Sequence, residues 1–189
     1  AGWPQDEEST PLPPQMPDGS EWPKITIITP SFNQADYLEE AIRSVLLQNY
    51  PKLEYFVLDG RSTDGSVEII EKYAPWIDWW VSEPDGGQSK AINKGFEKAS
   101  GLYINWLNSD DLLAKNALRT LAEHLEASNE KAVYLGDYYE WFGNRQEKQR
   151  KRSDIRTLER LVDIKNGWRG NGGNQIGQQA TFYPRKLFY

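Results

Sequence analysis

From Lys24 onward the chain alternates between two hydrophobic rhythms. "KITIITP" (24–30) is β-branched and almost continuously apolar, the pattern of a strand buried on both faces. In "ADYLEEAIRSVLLQNY" (35–50), Leu38, Ile42, Val45 and Leu46 recur at helical spacing, with Pro51 as the stop. "LEYFVLD" (53–59) is a second strand, and "STDGSVEIIEKYA" (62–74) opens on cap residues and runs as a helix up to Pro75. "WIDWWVSE" (76–83) predicts a short third strand. "GQSKAINKGFEKAS" (87–100) predicts a helix with Ala91, Ile92, Gly95, Phe96 and Ala99 on its core stripe, ended by Gly101. "LYINWLN" (102–108) is a fourth strand, "AKNALRTLAEHLEAS" (114–128) another helix and "AVYLGDYYEW" (132–141) a further strand.

This order predicts an α/β fold: a mostly parallel sheet flanked by helices on both faces, with right-handed crossovers. Ligands of such sheets bind beyond the carboxyl ends of the strands. Residues 1–22 are rich in Pro and acidic side chains and carry no period. They are expected to form a disordered or loosely attached tail, pinned by Trp3 or Trp22, ahead of one domain over 23–189.

Composition narrows the function classes. A length of 189 residues suits one domain with a substantial core. The net charge of −6 opposes a broad nucleic-acid surface. Cysteine is absent, which removes disulfide frameworks and thiolate metal sites. The single histidine, His124, sits in a helical pattern away from other motifs, which argues against Ser-His-Asp hydrolysis and His-based zinc chemistry. No apolar run reaches the ~20 residues that span a bilayer.

Three predicted strand ends carry polar clusters: "TPSFNQ" (29–34), "DGRSTD" (59–64) and "NSDD" (108–111). Each alone reads equally as a polar loop with helix caps. The parallel topology puts all three on one edge. The adjacent Asp110 and Asp111 repel each other and invite a cation. Neither a G-x-G-x-x-G turn nor a P-loop is present, so a diphosphate here needs a divalent ion held by one or two carboxylates. Asp59 can accept a hydrogen bond from a base edge or ribose hydroxyl.

The series "ITIITPSFNQADYLEEAIRSVLLQNYPKLEYFVLDGRSTDGS", "SEPDGGQSKAINKG" and "GLYINWLNSDDLL" resembles a family 2 glycosyltransferase with the GT-A (Rossmann-like) fold. The likeness is dense over about residues 24–115 and thin beyond. It implies transfer of a sugar, with inversion, from a nucleotide-diphosphate donor (with a lean toward uridine) to an acceptor hydroxyl. Saccharide or lipid-linked acceptors and polysaccharide or glycoconjugate synthesis follow from the same likeness. It places Thr29, Pro30 and Ser31 at the nucleoside and Asp59 at the base. Where relatives write "DDGS" this chain has "DGRS", so Gly60 and Arg61 make that end less acidic. Asn108 takes the first position of the D-x-D motif, with Ser109 after it. Asp110 is the principal ligand for Mn2+ or Mg2+, and Asp111 assists it or caps the next helix. Asp85, Lys90 and Asn93 are implied near the donor sugar and diphosphate, Lys94 sharing a helix face with the last two.

The resemblance also implies a carboxylate base in a motif following a segment like "ATFYPRKLF". The chain stops at Tyr189 before one, which leads to the expectation of a truncated domain, with Asp137 as an internal candidate for the base. A binding module that holds a nucleotide-sugar without efficient turnover is the alternative. A sugar nucleotidyltransferase is disfavoured, because "TPSFNQ" stands where its Gly-rich basic loop belongs. The basic run "NRQEKQRKR" (144–152) reads as a solvated hairpin or loop, or as a contact with an anionic membrane. The Gly/Asn-rich stretch 165–174 reads as a loop ahead of a strand-like "QATFY"; it resembles the acceptor-side segment of the family, where Trp168 either offers a sugar a stacking face or packs in the ordinary way. The expected location is the cytoplasm, with peripheral contact at the inner face of the membrane, and no nucleic-acid partner.

Overall fold

Strand and helix alternate as the pattern predicts in the computed structural model, which describes residues 8–125, 132–142, 147–151 and 177–188. The order is β1 (Ile25–Ser31), α1 (Ala35–Leu46), β2 (Leu53–Asp59), α2 (Ser66–Tyr73), β3 (Trp79–Ser82), α3 (Gln88–Lys98), β4 (Tyr103–Trp106) and α4 (Ala117–His124). Then come β5 (Tyr134–Leu135), β6 (Tyr138–Phe142), β7 (Glu147–Lys151) and β8 (Thr181–Pro184). The main sheet runs β3-β2-β1-β4-β8-β5. β1 pairs in parallel with β2 and β4, and β2 with β3. β8 is antiparallel to both β4 and β5, so β5 points the same way as β4.

Every residue of β1 is buried, because helices cover both faces. Ile25, Ile27, Tyr55 and Val57 share one core with Leu38, Ile42 and Val45 of α1, Ile70 of α2 and Leu118 of α4. Ile28, Phe56, Leu58 and Ile104 share the other with Ala91 and Phe96 of α3. Each fully buried Ile or Leu contributes about 1.5–3 kcal/mol. Gly95 lets α3 sit close: a Cβ there would lie 2.8 Å from Ile28.

Two boundaries differ from the sequence pattern. α1 ends at Leu46, ahead of Pro51, where Gln48 takes over: its Nε2 donates to the Ser44 and Ala114 carbonyls at 2.9 and 3.0 Å. "AVYLGDYYEW" is two strands rather than one. The Gly136 N–H donates to Ala180 at 2.8 Å, and the chain then leaves the main sheet for the β6–β7 hairpin.

Residues 8–22 lie against the domain. Trp22 is 3% exposed, edge-on to Tyr50 at 5.9 Å, and its Nε1 donates to the Pro13 carbonyl at 2.8 Å. The Ser9 N–H donates to Leu47 and its hydroxyl accepts from the Asn116 N–H. Trp3, Trp168 and the 165–174 stretch lie outside the described residues, as do the side chains of the basic run.

At the amino-terminal edge of the sheet, Glu54 is buried in a saturated network. Its carboxylate accepts from Lys24 Nζ (2.7 Å), Thr26 Oγ1 (2.7 Å), the Ser100 N–H (2.8 Å) and Ser100 Oγ (2.6 Å).

Candidate functional site

The carboxyl ends of β1, β2 and β4 meet at the opposite edge because the three strands are parallel. Ser31 and Asp59 are register partners, and the Gly60 N–H donates to the Ser31 carbonyl at 2.8 Å. The loops after β1 and β2 latch together. The Asn33 N–H donates to Ser62 Oγ (2.8 Å), the Thr63 N–H to Asn33 Oδ1 (2.9 Å) and the Ala35 N–H to Asp64 Oδ2 (2.9 Å). The cap residues of "STDGS" thus serve the first turn of α1 as well as their own helix.

Asp59 is 1% exposed. It accepts from the Ser62 N–H (2.9 Å), Ser62 Oγ (2.5 Å) and Ser82 Oγ (2.6 Å). A carboxylate has about four acceptor positions, so one remains for a ligand. Ser31 Oγ is buried with no hydrogen-bond partner, which leaves an unmet polar group beside Asp59. Thr29 lies deeper, its hydroxyl 3.0 Å from Tyr55 OH, and Pro30 is buried.

A cavity of about 170 Å³ opens next to Asp59, lined by Leu58, Val81, Asp85, Lys90 and Lys94. Asp85 and Lys90 are therefore brought to Asp59, while Asn93 is exposed on α3 and is not among the lining residues. Lys94 pairs with Glu83. The turn into α3 uses Gly86 and Gly87 at φ +70° and +112°, a conformation that side chains with a Cβ disfavour. It carries the Gly87 N–H to Asp85 Oδ1 at 2.7 Å.

The "NSDD" segment follows β4. Ser109 is buried, Asp110 exposed and Asp111 half-buried. α4 starts only at Ala117 and its cap position is Asn116, so Asp111 does not cap it. Burial, then the neighbouring charge of Asp110, push the Asp111 carboxyl up to about 6, against a hydrogen bond from Asn108 that pulls it down. Among the described residues no group of three or more His, Cys, Asp or Glu forms a metal cage. A divalent cation here would rest on Asp110 and Asp111, with its other oxygens from water and a phosphate ligand, the usual mode for Mg2+. Two under-neutralised carboxylates fit that role.

Asp137 follows β5, which is parallel to β4, so it leaves the sheet on the same edge, with β8 between. It is exposed. His124 is an exposed helix-face residue, its Nδ1 2.7 Å from the Thr120 carbonyl oxygen. Side chains to which the sequence pattern assigns no role also reach the rim. Ser62 and Ser82 donate to Asp59, and Gln88 and Gln178 meet Asn108. Gln88 opens α3 right after the double glycine, a position from which a polar side chain reaches a strand-end loop. Gln178 is distant in the chain, and nothing in its local sequence marks it.

The pattern that defines glycosyl transferase family 2 matches residues 26–187. The chain is 37% identical over 107 residues to a Bacillus subtilis protein named putative teichuronic acid biosynthesis glycosyltransferase TuaG, covering 54% of this chain and 42% of that protein. It is 32% identical over 108 residues to poly(ribitol-phosphate) beta-N-acetylglucosaminyltransferase TarS of Staphylococcus aureus, covering 54% of this chain and 19% of that protein. The chain thus spans less than half the length of these relatives. The crystal structure of S. aureus TarS 1-349 in complex with UDP-GlcNAc shares the fold, with a TM-score of 0.65 at 22% identity, over 87% of this chain and 46% of that one.

Proposed function

The chain belongs to glycosyl transferase family 2 and has the GT-A fold, and from that premise we propose that its rim binds a nucleotide-diphospho-sugar, a UDP-sugar, for inverting transfer to the hydroxyl of a saccharide or lipid-linked acceptor. The observation that carries the reading is the convergence of Asp59, Asp85, Lys90 and the Asp110–Asp111 pair on one edge of the sheet. The names of the TuaG and TarS relatives support a role in polysaccharide synthesis, and a TarS structure that holds UDP-GlcNAc supports the donor class.

In this reading each group has a distinct task. Asp59, held by Ser62 and Ser82, offers its remaining acceptor position to a nucleobase N–H or ribose hydroxyl, and the unpartnered Ser31 Oγ bonds the nucleoside beside it. Lys90 brings positive charge to the diphosphate, and Asp85 accepts from hydroxyls of the donor sugar. A divalent ion, Mn2+ or Mg2+, stabilises the negative charge of the leaving diphosphate when bound. Asp110 and Asp111 would hold it. Among the described residues no helix is long and apolar enough to cross a membrane.

Titration calorimetry with UDP, UMP and a panel of nucleotide-sugars, with and without Mn2+, tests this. UDP is expected to bind more tightly with the ion, and UMP to gain less from it. Equal affinity for all nucleotides, or none for any, refutes the reading. Release of UDP from the preferred donor then separates transfer from simple binding.

A further inference from the structure

We infer that Asn108 is a positioning residue, clamped between Gln88 and Gln178, which orients the Asp111 carboxylate and ties the Asp85 loop to it. The inference rests on the reading of this rim as a nucleotide-diphosphate and cation site. The amide of Asn108 is engaged at both ends. Its Oδ1 accepts from Gln88 Nε2 at 2.9 Å. Its Nδ2 donates to Asp111 Oδ2 at 3.0 Å and to Gln178 Oε1 at 3.1 Å. Gln178 is itself held: its Nε2 donates to the Trp106 carbonyl, and its own carbonyl accepts from Asn105 Nδ2 at 3.2 Å.

This network has one polarity. An ionised carboxylate only accepts, and the Nε2 of Gln178 is already committed to Trp106. Turning the Asn108 amide over would set oxygen against oxygen at both Asp111 and Gln178, and nitrogen against nitrogen at Gln88. An aspartate at position 108 would keep the bond from Gln88 but would have no hydrogen to give the oxygens of Asp111 and Gln178. In this inference Asn108 acts by holding Asp111, while its own oxygen accepts from Gln88. Its nitrogen is the donor that holds Asp111 Oδ2 in place, at 3.0 Å.

The clamp joins three places in the chain. Gln88 is the first residue of α3, directly after the Asp85–Gly87 turn. Asn108 follows β4, and Gln178 opens the turn before β8. A single amide thus keeps the donor-side loop and the Asp111 carboxylate in one register, and anchors both to a segment 70 residues further on.

The test uses Asn108→Asp, Gln88→Met and Gln178→Met in the full chain. Mn2+ alone is titrated by electron paramagnetic resonance, and UDP and UMP by calorimetry with and without Mn2+. Asn108→Asp is expected to weaken Mn2+ about tenfold despite its added negative charge. The two methionine variants are expected to lose about three- to tenfold of the Mn2+-dependent gain in UDP affinity. Metal-free UMP affinity should hold within twofold in Gln178→Met, a readout that general loosening of the fold would move. Mn2+ binding by Asn108→Asp as tight as in the parent, or tighter, overturns the inference. So does a Gln178→Met chain that loses UMP and Mn2+-dependent UDP affinity equally. If the parent binds Mn2+ but no nucleotide, the functional reading falls and the Mn2+ titrations alone decide the clamp. If Mn2+-dependent UDP binding is present but the variants leave it unmoved, the clamp alone falls.

Discussion

The two edges of the sheet each draw a carboxylate out of solvent, Glu54 fully and Asp111 in part, and they treat it in opposite ways. At the amino-terminal edge, burial of Glu54 favours its neutral form, but hydrogen bonds from Lys24, Ser100 and Thr26 outweigh this and bring its pKa to about 2. At the carboxyl edge, burial and then the charge of Asp110 raise the pKa of Asp111 to about 6, and the Asn108 amide offsets this only in part. Glu54 has its counter-charge built in. In the proposed reading, Asp111 and Asp110 take theirs from a bound cation. A buried charge that the fold satisfies is structural, and one that it leaves unsatisfied invites a ligand.

The largest effect should come from breaking the satisfied edge. Glu54→Gln removes an ion pair whose acid is 10% exposed, and should cost on the order of 3 kcal/mol at pH 7 by urea denaturation. The sign follows from a folded pKa of about 2, below the ordinary value of 4.5. The stabilisation is complete above about pH 5 and is lost as pH falls toward 2. The gap between parent and variant should close over that window. A gap independent of pH would mean that the charge of Glu54 is not what stabilises this edge.

Asp110→Asn should be next, and it should act on binding. The Mn2+-dependent part of UDP affinity is expected to fall about 30-fold, about 2 kcal/mol. Because Asp110 is exposed, stability should move by less than about 0.5 kcal/mol. Unchanged Mn2+ dependence would remove it as a ligand.

Asp111→Asn sharpens the contrast, since its sign is opposite to that of Glu54→Gln. Removing a half-buried charge held at a raised pKa should stabilise the metal-free chain by about 1 kcal/mol at pH 7, with the screening of a partly exposed group allowed for. A loss of stability on denaturation would show that Asp111 is satisfied after all. The smallest change concerns Arg61, which sits at φ +68° on the same rim. Arg61→Gly should stabilise by about 0.5 kcal/mol in the melting curve, because glycine adopts that conformation without strain.

Much of this was legible in the chain. The continuous apolar run of β1 required cover on both faces, and helices on both faces supply it. Ala91, Gly95, Phe96 and Ala99 are buried as the α3 stripe predicts, with Ile92 at its margin. Three polar clusters at predicted strand ends were enough to nominate one rim. The division of "AVYLGDYYEW" was not legible, because its strand-like pattern does not record that β8 arrives beside β5 and that Ala180, just ahead of β8, claims the Gly136 N–H.

The sequence by itself determined which residues stand at the strand ends, because the period of a strand and the direction of a parallel crossover are local properties of the chain. Only the tertiary structure decided what those residues do for one another. Asp59 acquires Ser82 from β3, Glu54 acquires Lys24 and Ser100 from two other segments, and Asn108 is held by Gln88 and by Gln178. Whether a carboxylate is satisfied or left waiting depends on donors within about 3 Å in space, and separation along the chain carries no record of that distance.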